Sequence, residues 1–227
     1  MSMLTTAEQR VRVTFAVRWP LQYASVLDMG RLWERLLRRA GLPVAYTQGY
    51  NPHMRMQFAD ALPVGYTSDC EAIDIYLGER VAPSELPALL QRYAPPGLRV
   101  SDAVEVDLKA KAPQALMREA IYRVSVHTEA TPAAIREKLA ALLERESIPR
   151  ERKRRGRLRT YDLRELIYEL AYLSGVPPRH HLHMRLRCGS HGSGRPADVL
   201  DAAELPISDL RVHRIQLVWG QQEEHPS

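Results

Sequence analysis

Val11, Val13, Phe15 and Val17 alternate with Arg12, Thr14, Ala16 and Arg18, a period of two that predicts a strand with one buried and one solvated face. The period then changes. Met29, Leu32, Trp33, Leu36, Leu37 and Ala40 recur at helical spacing; Asp28 is placed to cap the start, and Gly41 and Pro43 to end the helix. Arg31, Arg35, Arg38 and Arg39 fall on its other faces. After a Gly49-Tyr50-Asn51-Pro52 turn, residues 54–58 and 71–77 predict two more strands. A helix opened by Pro83 carries Leu86, Leu89, Leu90 and Tyr93, and residues 98–106 predict a closing strand.

This order, β-α-β-β-α-β, is the ferredoxin-like arrangement, in which two right-handed crossovers put both helices on one face of an antiparallel sheet and leave the other open. The second half repeats it. Strands are predicted at 121–127, within 158–173, at 180–188 and at 210–219, with helices at 131–146 and 196–203. The expected class is α+β, as tandem ferredoxin-like units at 10–110 and 113–220 with a hinge near 109–113 and a tail at 221–227. A chain of 227 residues suits two such units.

Composition narrows the setting. Hydrophobic residues at 45% and charged residues at 26% argue for a folded chain. No apolar run approaches the roughly 18 residues that cross a bilayer, and the first ten residues lack a signal-peptide core, so a cytoplasmic protein is expected. Only two cysteines occur, Cys70 and Cys188. They fit a reducing compartment, exclude a self-contained four-thiolate iron–sulfur site, and are expected to be buried. The net charge of +5 is local, because residues 145–160 hold eight basic and two acidic side chains, leaving about −1 elsewhere.

Three features point to anions. The first is the run Arg150, Arg152, Lys153, Arg154, Arg155, Arg157 and Arg159, whose guanidinium density suits phosphate; a solvated hairpin or loop is the bland alternative. The second follows from strand parity. Tyr122, Val124 and Val126 share the core face with Leu182, Met184, Leu186 and Cys188. The opposite parity gathers Arg123, Ser125 and His127 beside His181, His183, Arg185 and Arg187. That face lacks an exposed aromatic pair for base stacking, and it could instead be buried against the other unit. The third is the loop Gly189, Ser190, Gly192, Ser193, Gly194 and Arg195, which leads into a helix at Pro196 and is either an anion cradle or a flexible connection.

Metal and covalent chemistry find less support. His180, His181, His183, Cys188 and His191 lie close in sequence, but parity splits them and no matching ligand pair occurs elsewhere, so no metal and no cofactor is expected. Ser25 and Asp28 precede a helix, where capping accounts for both. No nucleophile is assigned.

The stretch from Ser25 through Asp28, Met29, Gly30 and Arg31 to Pro43, continued by Ala45-Tyr-Thr-Gln-Gly-Tyr-Asn-Pro-His53 and Ala61-Leu-Pro-Val-Gly65, resembles the radical-SAM-linked protein family. Tyr161-Asp-Leu-Arg-Glu-Leu-Ile167 and the segment from Leu186 to Pro196 also look like its motifs, so the resemblance spans about 10–220. It implies a bacterial protein fused to, or encoded beside, a radical S-adenosylmethionine enzyme, often near genes of RNA processing. This chain has no Cys-x-x-x-Cys-x-x-Cys and so would work beside a separate enzyme. The family's recurrent positions map onto Asp28, Gln48, Asn51, Pro52, Asp162 and Arg164, of unknown role; Val26 stands where the family usually has histidine. A looser likeness, by analogy of architecture, is to CRISPR repeat-processing endoribonucleases.

Together these imply an accessory protein without catalysis of its own, holding structured RNA of the tRNA or rRNA class for a radical SAM enzyme, with neither DNA nor membrane as partner. The alternatives are a protein adaptor that touches no RNA, marked by exposed apolar surface, and an endoribonuclease-like RNA-processing protein.

Overall fold

Alternation and helical spacing produce the predicted elements in the predicted order, with the short helix at Pro113–Leu116 and the strand Pro149–Arg154 added and the strand expected within 158–173 divided in two. The computed structural model describes residues 6–154, 157–190 and 192–220. The protein mixes α and β structure, and its described strand pairings are antiparallel. It divides into two units, one running to Met117 and including Gly220, the other Arg118–Trp219.

Unit 1 contains β1 (Gln9–Val17), α1 (Val26–Arg39), β2 (Met56–Phe58), β3 (Thr67–Leu77), α2 (Leu86–Tyr93), β4 (Leu98–Val106) and the short α3 (Pro113–Leu116). β1 lies between β4 and β3, and β3 also pairs with β2. Val11, Val13, Phe15 and Val17 bury one face of β1 in a core with Trp33, Leu36 and Leu37 of α1, and Phe15 meets Trp33 edge-on at 4.9 Å. The helix starts at Val26, capped by Ser25; Asp28 is the third residue of a capping box, not the cap itself.

The other face of β1 differs from expectation. Arg10 is buried and Arg12 nearly so, because strand register sets Arg12 opposite Asp74 of β3. Asp74 accepts from both guanidiniums, Arg10 at 2.5 Å and Arg12 at 2.7 Å. Arg10 also donates to the carbonyls of Ala110 and Lys111, fastening the segment that was expected to act as a hinge.

Unit 2 contains β5 (Met117–His127), which begins at the last residue of unit 1, then α4 (Pro132–Glu144), β6 (Pro149–Arg154), β7 (Arg157–Asp162), β8 (Ile167–Val176), β9 (Arg179–Arg187), α5 (Pro196–Ala202) and β10 (Arg211–Trp219). Its sheet order is β10-β5-β9-β8, with β6 and β7 paired as a separate hairpin. The single strand expected within 158–173 is therefore two, β7 and β8, joined by a 3-10 turn at Arg164–Leu166. β6 carries no apolar alternation and was invisible to a reading based on period. Cys188 is buried, whereas Cys70 is partly exposed, contrary to expectation. The tail 221–227 lies outside the described residues.

Candidate nucleic-acid interface

β5 and β9 form the face that parity proposed. Antiparallel register sets Arg123 opposite His183, Ser125 opposite His181 and His127 opposite Arg179. Tyr122, Val124, Val126, Leu182, Met184 and Leu186 are buried behind them. Arg123 and His127 are exposed, and Ser125, His181, His183, Arg185 and Arg187 are half-buried. Ser125 Oγ and His181 Nδ1 lie 2.7 Å apart.

Two carboxylates absent from the sequence reading temper this face. Glu119 lies 3.4 Å and Glu169 3.6 Å from Arg185, and Glu169 is also 3.7 Å from His183 Nε2. Arg185 further stacks over Tyr168 at 5.7 Å. Glu119 has the parity of Arg123, so a strand begun two residues earlier would have included it. Glu169 was harder to see, because bulges in β8 on either side of it break the alternation. Arg123 and Arg187, which flank Arg185, have no ion pair among the described residues.

The basic run has two fates. Arg150 pairs with Asp201 at 2.7 Å. Arg152 pairs with Asp198 at 2.5 Å, donates to the Ser193 carbonyl at 3.2 Å and lies 4.7 Å over the Tyr161 ring. Tyr161 donates to the same Asp198 oxygen at 2.8 Å, and burial together with that carboxylate raises its pKa above the usual phenol value. These contacts tie the hairpin to α5 and the loop before it. Arg159 is exposed. Lys153, Arg154 and Arg157 are placed on the hairpin by backbone pairing alone, and Arg155 lies outside the described residues.

In the loop at 189–195, the Gly194 N–H is bonded to the Arg187 carbonyl, and the Gly194 Cα packs so near Leu166 that a Cβ would meet its carbonyl at 3.1 Å. Gly192 has φ +119°, a conformation that side chains rarely adopt. Asp198, in the first turn of α5, already occupies Arg152. Gly189, Ser190 and Ser193 are half-buried or exposed and Arg195 is exposed. Among the described residues no three His, Cys, Asp or Glu side chains gather as a metal site, and His191 lies outside them.

The family positions separate by role. Asp162 accepts from the N–H groups of Ile148 and Arg164 at 2.8 and 2.9 Å, and its pKa is held low by hydrogen bonds from the Ser147 side chain first and then from those amides. Arg164 donates to the Leu143 and Ile167 carbonyls, both at 3.1 Å, joining the end of α4 to the start of β8. Both are structural. Asp28 is likewise lowered, chiefly by the Ser25 hydroxyl. Gln48, Asn51 and Pro52 stand on a loop closed between Thr47 and His53, where Gln48 and Asn51 are exposed.

No curated protein matches the chain. Among solved structures, it is similar to a chain in the crystal structure of a Cbf5-Nop10-Gar1 complex, with 9% identity and a TM-score of 0.48 over 90% of this chain and 48% of that one, so it spans about half that chain's length. It is also similar to an unknown protein from Galdieria sulphuraria, with 13% identity and a TM-score of 0.26 over 94% and 99% of the two chains. Likeness at these scores is too weak to bear on fold or function. The sequence profile that matches residues 10–196 identifies the chain as a member of the bacterial family described as an uncharacterized protein conserved in bacteria, DUF2344.

Proposed function

We propose that this protein is a cytoplasmic RNA-binding accessory of a separate radical SAM enzyme, built from two ferredoxin-like modules, with structured RNA held on the β5–β9 face of unit 2. The strand orders β4-β1-β3-β2 and β10-β5-β9-β8, each from a β-α-β-β-α-β sequence of principal elements, support the modular reading. The observation that carries the RNA reading is the pair Arg123 and Arg187, which stand on one strand pair with no carboxylate at ion-pair distance among the described residues; Glu119, opposite Arg187 in register, contacts Arg185. Arginines left unpaired beside His181, His183 and Ser125 offer phosphate a set of charged and neutral donors. The sequence motifs quoted above supply the radical SAM half of the proposal.

The test is binding of the full chain to small RNA from its own cells at about 50 and 200 mM salt, a range over which several phosphate contacts cost orders of magnitude in affinity. Arg123→Glu with Arg187→Glu is expected to weaken binding at least tenfold and to flatten the salt dependence. Binding that ignores both changes, or none at low salt, overturns the RNA reading. Cleavage of the bound RNA without added metal would move the assignment to the endoribonuclease alternative.

A further inference from the structure

Four exposed apolar side chains of unit 1 share one short segment, while others, such as Tyr50 and Val64, stand elsewhere. Trp19 is 74% exposed, Tyr23 63%, Val26 51% and Leu27 75%, all between the end of β1 and the first turn of α1. Such clustering is unlike the scattered exposure that any soluble surface tolerates. The same segment borders a small cleft of about 30 Å³ whose walls include Leu21, Val26, Met29 and Leu62 together with Asp60 and Glu71.

From Leu27 onward the helix presents arginine. At 100° per residue, Leu27, Arg31, Arg35, Arg38 and Arg39 lie within an arc of about 120°, opposite the buried Trp33, Leu36 and Leu37. All four arginines are exposed. Four other arginines of unit 1 are matched with carboxylates: Arg10 and Arg12 with Asp74, Arg18 with Asp69, Arg80 with Glu105. On α1 the contact is one loose approach of 3.9 Å between Arg31 and Asp28, and Asp28 is engaged by Ser25. Glu34, half-buried on the same helix, makes no ion pair with the stripe among the described residues.

We infer that this surface docks a partner protein through a segment that combines an apolar side chain, packed against the exposed Trp19, Tyr23, Val26 and Leu27, with carboxylates facing the α1 arginines. Aromatic side chains and arginine at an interface, with an apolar centre beside a charged rim, are the composition of protein-binding surfaces. The stripe of four arginines, offset by Asp28 alone at ion-pair distance among the described residues, selects an acidic partner and steers its approach. RNA would satisfy the arginines and leave Leu27 and Val26 without a role. The inference deepens the partner half of the proposed function and does not depend on RNA binding by unit 2.

The experiment pans a random twelve-residue peptide library on the full chain and measures the affinity of a synthetic peptide from the enriched set. Enriched sequences are expected to pair Leu, Phe or Trp with Asp or Glu. Affinity is expected to fall at least tenfold with Arg35→Glu and Arg38→Glu together, and with Leu27→Asp, while thermal stability changes little because these side chains are solvated. Arg123→Glu with Arg187→Glu should leave peptide binding unchanged, so loss of RNA binding and loss of docking are read separately. No enrichment, enriched peptides without carboxylates, or affinity indifferent to the α1 changes overturns the inference. So does loss of RNA or anionic-vesicle binding, rather than peptide binding, in the α1 variants.

Discussion

Unit 1 and unit 2 dispose of charge in opposite ways. Residues 6–117 carry 13 Lys and Arg against 12 Asp and Glu, whereas residues 118–219 carry 19 against 13. Near balance in unit 1 nevertheless leaves an arginine stripe on α1 with one loose ion pair, Arg31 with Asp28, among the described residues, while Asp74, Asp69 and Glu105 engage Arg10, Arg12, Arg18 and Arg80. The excess in unit 2 is smaller in effect than it looks, because Asp198, Asp201, Glu119 and Glu169 engage three of its most prominent arginines, Arg152, Arg150 and Arg185. Net charge therefore says little about where a protein offers charge to a partner. The corresponding helices make the same point: α1 exposes four arginines, while the exposed side of α4 mixes Arg136, Glu137 and Glu144 with alanines.

The largest effect that would sharpen this contrast is in unit 1. Asp74→Ala leaves Arg10 buried without its carboxylate, and loss of one partner of a buried pair costs about 3–5 kcal/mol. Urea unfolding should show a large drop in midpoint; a drop no larger than that of a surface change would mean that Arg10 finds solvent. Next in size, Ser25→Ala removes the cap of α1 at about 1 kcal/mol. It should also loosen amide exchange in the first turn, without altering RNA binding.

Smaller again is Arg152→Ala, expected to cost about 1 kcal/mol or less, since the pair with Asp198 is partly solvated. Its signature is faster hydrogen exchange across β6 and β7. If RNA affinity falls while exchange is unchanged, Arg152 contacts phosphate and its structural role is wrong. The smallest effect is a pH dependence. Asp162 has a folded pKa below its ordinary 3.8, so its stabilisation is complete above that value and is lost as pH falls through the lower folded pKa. Asp162→Asn should thus reduce the decline of the urea midpoint between about pH 4 and pH 2. An unchanged decline would show that the bonds from Ser147 and Ile148 do not favour the charged form.

Much of the fold was legible because it rests on local periodicity. The alternation from Tyr122 to His127 and from His180 to Cys188 identified both faces of β5 and β9 before any contact was known. Strand β6 was not legible, since charged side chains on both of its faces carry no apolar period, and β7 was merged with β8 into one expected strand. The face residues were found in part: Arg123, His183, Arg185 and Arg187 stand together, while Glu119 and Glu169 were missed. One lay beyond the predicted strand end, and the other lay between bulges.

By itself the sequence determined most of the order of elements, which side of α1, β5 and β9 meets the core, and the presence of dense arginine at 150–159 and along α1. Only the tertiary structure decided which of those arginines are already engaged. Apolar period is a property of neighbouring residues, so it survives in one dimension. Charge pairing joins Arg10 to Asp74 across 64 positions and Arg152 to Asp198 across 46. It exists only after strand register and helix placement bring those groups within hydrogen-bonding distance.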